Sequence, residues 1–106
     1  RCHVSHFDGS TWGDCGLVST GAVTWTSIVL GPDGKPRVAY ADGGLADLVY
    51  VKRWTGSAWV GLAGAASTGA ALTPVIGYDS AWTLYLAYRN SSMSGQIYVA
   101  KFVNND

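Results

Sequence analysis

Apolar residues in this chain come in short runs that alternate with turns rich in Gly, Pro, Asp and Ser. No segment repeats its apolar positions at the spacing of an amphipathic helix, so the pattern predicts strands rather than helices. Gly-containing turns between adjacent runs predict antiparallel hairpins. The predicted strands and hairpins lie at residues 1–17, 24–30, 37–41, 48–62, 72–78, 82–88 and 96–103.

Two of the predicted strands are apolar on both faces. The segments VAY at residues 38–40 and LAY at residues 86–88 place apolar side chains at successive positions. Successive residues of a strand point to opposite faces of its sheet. A sheet with one face in water would instead alternate polar and apolar residues. Both strands are therefore expected to lie in sheets that are covered on both sides.

One stretch, LVYVKRWTGSAW at residues 48–59, occurs nearly three times. Residues 1–12, RCHVSHFDGSTW, are the first copy, and residues 96–106, QIYVAKFVNND, are an incomplete last copy. The aromatic residues that hold equivalent positions, 47 and then 48 residues apart, are Phe7, Trp54 and Phe102. The chain is therefore built from a repeated unit.

Each unit holds four short strands in about 47 residues, which is typical of a β-propeller blade. The sequence predicts one propeller segment over residues 1–106, made of a partial blade at 1–17, a complete blade at 24–62 and a partial blade at 72–103. These are about two and a quarter blades, whereas a closed propeller has about four to eight. The ring would close by association of several copies or with a chain that carries further blades. Because the third strand of the blade is present twice, one copy must be displaced or pair elsewhere.

The segment PRVAYADGGLADLVYVKRWTGSAWVGL at residues 36–62 resembles the blade repeat of many bacterial secreted propellers, with its P-x-V-A-Y-x-D and G-x-x-W elements. It is also distantly similar to the two-blade fucose-binding lectins, whose short chains trimerise into a six-bladed ring. The resemblance implies a secreted propeller and, through the lectins, carbohydrate binding. Arg37 matches the Arg at the head of the lectins' second strand, whereas their third-strand Glu has no counterpart, because this chain contains no glutamate.

Composition adds an expectation about partners. Hydrophobic residues make up 48% of the 106 residues and charged residues only 13%, about half the usual share, so apolar surface is left over for contacts between protomers. Seven basic and seven acidic residues cancel and form no basic run, so nucleic acid is not an expected partner. No apolar stretch approaches the ~18 residues of a membrane helix, so no membrane is expected either.

The two cysteines lie in the first predicted hairpin. If Asp8 and Gly9 form a two-residue loop, Cys2 faces Cys15 in a non-hydrogen-bonded pair, where Cα atoms are about 4.5 Å apart. This spacing predicts a Cys2–Cys15 disulfide and an oxidising, extracellular compartment. The alternative is two buried free thiols, because Val49 and Leu62 occupy these positions in the second copy.

Catalytic and metal chemistry find little support in the sequence. Glycoside hydrolysis generally needs two carboxylates, and the only plausible pair here is Asp42 and Asp47, which flank one loop. His3 and His6 are three residues apart and point to opposite faces of a strand, which opposes a shared metal ligand set. We therefore expect no enzymatic activity, no metal site and no cofactor.

Aromatic side chains are the best binding candidates. Trp25 and Trp82 do not recur in the other repeat, and an exposed indole can stack on the apolar face of a sugar. The longer loops at residues 42–47 and 89–95 are expected to share one rim, and loops on a rigid scaffold usually carry function. The residues predicted to bind ligand are Trp25, Arg37, Asp42, Trp82 and Arg89.

The sequence thus predicts a secreted, non-catalytic module that binds carbohydrate at the rim, or between the blades, of an assembled propeller. Two alternatives stay open. One is a structural or engineered fragment of a larger propeller with no ligand of its own. The other is the scaffold part of a sialidase-like hydrolase, which the missing glutamate disfavours.

Overall fold

The computed structural model of the chain describes residues 1–19, 21–62, 64–67, 69–91 and 96–102. It confirms the predicted all-β class, because nine antiparallel strands and one 3₁₀ turn, Gly43–Leu45, account for the regular structure of the described residues. No helix among these residues is long and apolar enough to cross a membrane. The strands are β1 (Cys2–Phe7), β2 (Trp12–Ser19), β3 (Val23–Leu30), β4 (Pro36–Asp42), β5 (Leu48–Trp54), β6 (Trp59–Gly61), β7 (Ala71–Tyr78), β8 (Leu84–Asn90) and β9 (Gln96–Phe102).

The strands form three separate antiparallel sheets in chain order. Sheet A is β1-β2, sheet B is β3-β4-β5-β6, and sheet C is β7-β8-β9. The three sheets stack face to face with sheet B in the middle, because one apolar cluster joins sheets A and B and another joins sheets B and C. Within the described residues the sheets do not close into a ring.

Strand β4 is buried along nearly its whole length, as its two-sided apolar pattern predicts. Val38 and Tyr40 point towards sheet A, where they pack with Val4. Ala39 and Ala41 point towards sheet C and belong to the second cluster. The members that sheet C contributes to this cluster are Ala71, Ile76, Leu84, Leu86 and Tyr88. Burying a large apolar side chain contributes about 1.5–3 kcal/mol, so this double-sided packing anchors the stack.

Hydrogen bonds between sheets fix the stacking. The Trp59 indole Nε1–H donates to the Cys15 carbonyl at 3.0 Å, and the Lys52 ammonium donates to the Val18 carbonyl at 2.7 Å. Both bonds join sheet B to β2. On the other side, the Ile76 N–H of β7 donates to the Ser27 hydroxyl of β3 at 3.2 Å.

The sequence repeat appears as repeated local geometry. The ring pairs Phe7–Trp12 and Trp54–Trp59 both have centroids 5.2 Å apart, with interplanar angles of 48° and 49°. The stacked pairs Tyr40–Tyr50 and Tyr88–Tyr98 also correspond, at 6.1 and 5.8 Å. Equivalent positions in the sequence thus hold equivalent cross-strand aromatic pairs.

The predicted Cys2–Cys15 disulfide is wrong, because both thiols are free. The first hairpin has a four-residue turn in place of the predicted two-residue loop, so Phe7 faces Trp12. Further register shifts, each with an extra residue in β2, then place Cys2 opposite Ser19. Cys15 packs against the same apolar cluster that contains Cys2, and burial raises the pKa of the Cys2 thiol. The alternative of two free thiols is the correct one.

Candidate functional site

The five residues predicted to bind ligand lie at opposite ends of the sheets. In sheets B and C, one end carries the tight turns at residues 31–35, 55–58 and 79–83, and we call it the turn end. The other carries the connections that follow β4 and β8, and we call it the loop end. The second of these connections is described only as far as residue 91. Arg37 and Trp82 lie at the turn end, whereas Trp25, Asp42 and Arg89 lie at the loop end.

Two of the loop-end residues, Trp25 and Asp42, are brought to the same part of sheet B. Val23 pairs with Asp42 and Thr26 pairs with Tyr40, and the register shifts between these two pairs. Trp25 lies within this irregularity, and its side chain is exposed. An exposed ring therefore lies near a carboxylate, but Arg89 belongs to another sheet and does not complete this arrangement.

Asp42 has a structural role in its loop. It is the N-cap of the 3₁₀ turn, and its Oδ1 accepts the Gly44 N–H at 2.9 Å. Its carbonyl accepts the Asp47 N–H at 2.9 Å, and its side chain is buried. A Cβ placed on Gly21 would lie 3.2 Å from Oδ1, so the connector packs closely on the carboxylate. These bonds give the Asp42 carboxylate a structural role in its loop.

Arg37 is buried under the turn that precedes it, with only 1% of its surface exposed. Its Nη1 donates to Asp33 Oδ1 at 2.6 Å and to the Lys35 carbonyl at 2.9 Å. A Cβ placed on Gly31 would overlap the guanidinium, so a larger residue there would displace the Arg37 side chain. The Lys35 N–H and the Arg37 guanidinium hold the pKa of Asp33 below its ordinary value. Arg37 thus stabilises the turn, and its role as a ligand residue stays a prediction.

Trp82 lies in a cluster of aromatic and polar groups at the turn end of sheet C. Its indole is 48% exposed and packs edge-on against Tyr78, with centroids 5.4 Å apart. In the same turn, Asp79 Oδ1 accepts the Ala81 and Thr83 N–H groups at 2.9 Å each. The Tyr85 hydroxyl donates to Asp79 Oδ2 at 3.2 Å.

The Asp79 carboxylate is held in its charged form. The Thr83 N–H, with smaller effects from the Ala81 N–H, the Tyr85 hydroxyl and the Lys101 charge, lowers the pKa of Asp79, against the opposing effect of desolvation. The hydrogen bond to Asp79 in turn raises the pKa of Tyr85. A partly exposed indole therefore lies in the same turn as a charged acceptor, Asp79, which also interacts with a phenol of β8 and an ammonium group of β9.

Sequence reasoning named Trp82 as a ligand residue, which stays a prediction, but did not name Asp79 and Tyr85 as its companions. Asp79 had a sufficient explanation as a turn residue, and its turn role is confirmed by the backbone bonds that it accepts. The missed signal is the repeat itself. Tyr85 holds the position that Arg37 holds in the first repeat, and both side chains donate to a carboxylate of the preceding turn.

The cavity between sheets B and C has a different character. It measures about 130 Å³, and its lining includes Val51, Leu62, Leu84 and Phe102. Such a wall offers few partners to the hydroxyl groups of a sugar. In the part of the chain that the structure describes, no group of three His, Cys, Asp or Glu side chains could hold a metal ion.

Comparison of the chain with protein-family models, curated proteins and solved structures finds no match. The functional argument therefore depends on the geometry of this chain. Of the exposed indoles of Trp25 and Trp82, that of Trp82 lies in the turn with the more fully defined polar contacts.

Proposed function

We propose that the protein is a non-catalytic carbohydrate-binding module whose sheets are blades of a β-propeller. The stacking supports the propeller part, because sheet B is covered on both faces and equivalent positions recur in the neighbouring sheets. We place the principal ligand contact at Trp82, with Asp79 and Tyr85 as hydrogen-bonding groups. An indole face packs on the C–H face of a sugar, while the polar groups bind its hydroxyls.

The observation that carries this proposal is the backbone conformation of Trp82. Its φ is 62°, in the left-handed region, while Gly34 at the equivalent position of the first repeat has a φ of 75°. A side chain costs about 1–2 kcal/mol in that conformation, which glycine adopts freely. A bulky residue kept at a position that suits glycine is a reason to suspect function.

The test is a glycan array followed by titration with the best sugar, read through intrinsic tryptophan fluorescence. Trp82→Ala is expected to lower the affinity at least tenfold, while Trp25→Ala and the control Trp12→Ala leave it unchanged. Loss of binding on Trp25→Ala alone would move the site to the loop end. Unaltered binding by the Trp82 variant would exclude the proposed contact.

A second candidate function is supported by Arg37 and Asp42. Both were predicted to bind ligand, yet both are buried and bonded to their own turns. This favours a purely structural propeller segment, completed by copies of itself or by a chain with further blades. An array without any bound glycan, together with a defined multimer in solution, would support this second function.

Secretion is proposed on the resemblance alone. The free thiols of Cys2 and Cys15 remove the argument from a disulfide. Localisation of the full-length protein with its native termini, by cell fractionation, tests this proposal directly.

A further inference from the structure

An open groove runs along the edge of β1, between sheet A and β3. Two adjoining hollows of about 230 and 410 Å³ form it, and Val4, Ser5 and Ile28 line both. Leu30 lines the larger hollow, and its side chain is exposed. Among the described strands, β1 pairs with β2 alone, so its other edge faces the groove. An unpaired strand edge beside an apolar floor is the usual site for addition of another strand.

The internal repeat indicates what covers such a floor. Ile28 of β3 is 56% exposed, whereas Ile76, its equivalent in β7, is 7% exposed. Ile76 is buried because sheet B lies against it, and its N–H reaches Ser27 of β3. Ile28 is exposed because sheet A, in the part of the chain that the structure describes, consists of β1 and β2 and lacks strands equivalent to β3 and β4. The groove is therefore where the first two strands of a complete sheet would lie.

The matching surface is the outer face of sheet C. Val75 of β7 and Ala87 of β8 lie in register on this face, and Val75 is exposed. The equivalent residues of sheet B lie on the face that sheet C covers. One chain thus has an uncovered groove at Ile28 and, on sheet C, an uncovered face equivalent to the face of sheet B that covers Ile76.

We infer that a second copy of this chain docks in the groove, head to tail. Strands β7 and β8 of the second copy lie over Ile28 and Leu30 of the first. Strand β8 of the second copy also pairs with the open edge of β1 of the first, so that β1 takes the position beside β8 that β9 has in the single chain. The inference rests on the proposed propeller arrangement, but its test requires no sugar. Because the two surfaces differ, such contacts form rings or filaments rather than isologous dimers.

The repeat also gives the expected register. In sheet C, Tyr85 pairs with Lys101 and Leu86 pairs with Ala100. When Phe7 of β1 is matched to Phe102 of β9, His6 takes the position of Lys101. Tyr85 of the second copy is therefore expected to lie opposite His6 of the first. This explains why the third strand is present twice. In the assembly, β1 replaces β9 beside β8.

Two single variants separate the surfaces. Ile28→Lys places a charge in the groove, and Val75→Lys places one on the outer face of sheet C. The mass measured by sedimentation is expected to be a multiple of 11.1 kDa for the wild type and 11.1 kDa for each variant. Val60→Lys, which adds the same charge at an exposed apolar position on β6, is the control and keeps the wild-type mass. Circular dichroism checks that all variants are folded, and Leu30→Lys replaces Ile28→Lys if the latter is not.

Mixing the two variants gives the decisive result. The Val75→Lys chain has an intact groove and the Ile28→Lys chain has an intact outer face, so a mixture restores one contact and yields a dimer of two chains. A mixture that stays monomeric, or a wild type that is itself monomeric, would overturn the proposal.

Cross-linking tests the strand pairing itself. In a background of Cys2→Ala and Cys15→Ala, one chain with His6→Cys and another with Tyr85→Cys are expected to form an intermolecular disulfide. The pair Tyr85→Cys and Lys101→Cys within one chain is the control for β9 remaining in place. A multimer without the His6–Tyr85 cross-link would exclude β8 as the added strand.

Discussion

The turns at residues 31–35 and 79–83 join the first two strands of their repeats and share one backbone frame. The Gly31 N–H donates to the Lys35 carbonyl at 2.9 Å, and the Asp79 N–H donates to the Thr83 carbonyl at 3.1 Å. Both turns contain a residue with positive φ and a carboxylate that accepts a hydrogen bond from the following strand. The carboxylate is the third residue of the first turn, Asp33, and the first residue of the second, Asp79. The surroundings of the two turns differ as well.

The first turn is closed by packing and the second is open. Sheet C covers the face of sheet B on which Arg37 lies, and this side chain is buried beneath Gly31. Tyr85, its equivalent, lies on the uncovered face of sheet C, and Trp82 takes the place of the glycine. A position used for packing in one copy is thus available for a ligand or a partner in the other.

The largest expected effect is that of Arg37→Ala. Removing the Arg37 side chain, which is 1% exposed, breaks its hydrogen bond to the Asp33 carboxylate, and a hydrogen bond to a charged group contributes about 1.5–3 kcal/mol to the unfolding free energy. The bond from Tyr85 to Asp79 is exposed to solvent, so its loss is expected to cost much less. Tyr85→Phe is the matched variant in the open turn. Urea unfolding of both is expected to show a loss several times greater for Arg37→Ala. Equal losses would mean that the two turns are not distinguished by burial.

A smaller effect is expected when Trp82 is replaced by glycine or by alanine. Both variants lose the contact with Tyr78, but alanine keeps the strain of a positive φ and glycine removes it. Trp82→Gly should therefore be about 1 kcal/mol more stable than Trp82→Ala. Thermal unfolding of the pair measures this difference. A more stable alanine variant would show that residue 82 does not adopt the left-handed conformation.

The smallest expected effect is on the stability of the protein at acidic pH. Hydrogen bonds from the Thr11 and Ser10 N–H groups lower the pKa of Asp8 from 3.8 to about 2. Because the folded pKa is lowered, this contribution to stability is present above pH 3.8 and is lost as the pH falls towards 2. Asp8→Asn is expected to flatten the fall in melting temperature over this interval. Carboxyl titration by NMR checks the assignment, and an Asp8 midpoint at its ordinary value would contradict it.

The sequence predicted the strands well because their apolar pattern repeats. The all-β class and the burial of β4 on both faces follow from short-range periodicity and from VAY at residues 38–40. Hairpin register was harder to predict. The Asp8 side chain stabilises a four-residue turn by accepting N–H groups from Ser10 and Thr11, and this shifted the cysteines out of register.

The candidate site was only partly predictable. The absence of a repeat partner singled out Trp82, but its polar companions depend on a turn conformation that composition does not give. Arg37 and Asp42 looked like ligand residues because they are polar residues in or next to turns and loops. Their hydrogen bonds to nearby backbone and turn groups became visible only once the chain was folded.

The account depends most on the claim that the uncovered surfaces of one chain are completed by another copy. Light scattering of the unmodified chain on a sizing column measures this directly. A single species at a whole multiple of 11.1 kDa is the predicted result. A monomer at every concentration would contradict the account and would leave Ile28 and Val75 as uncovered surfaces of a stack that no second copy completes.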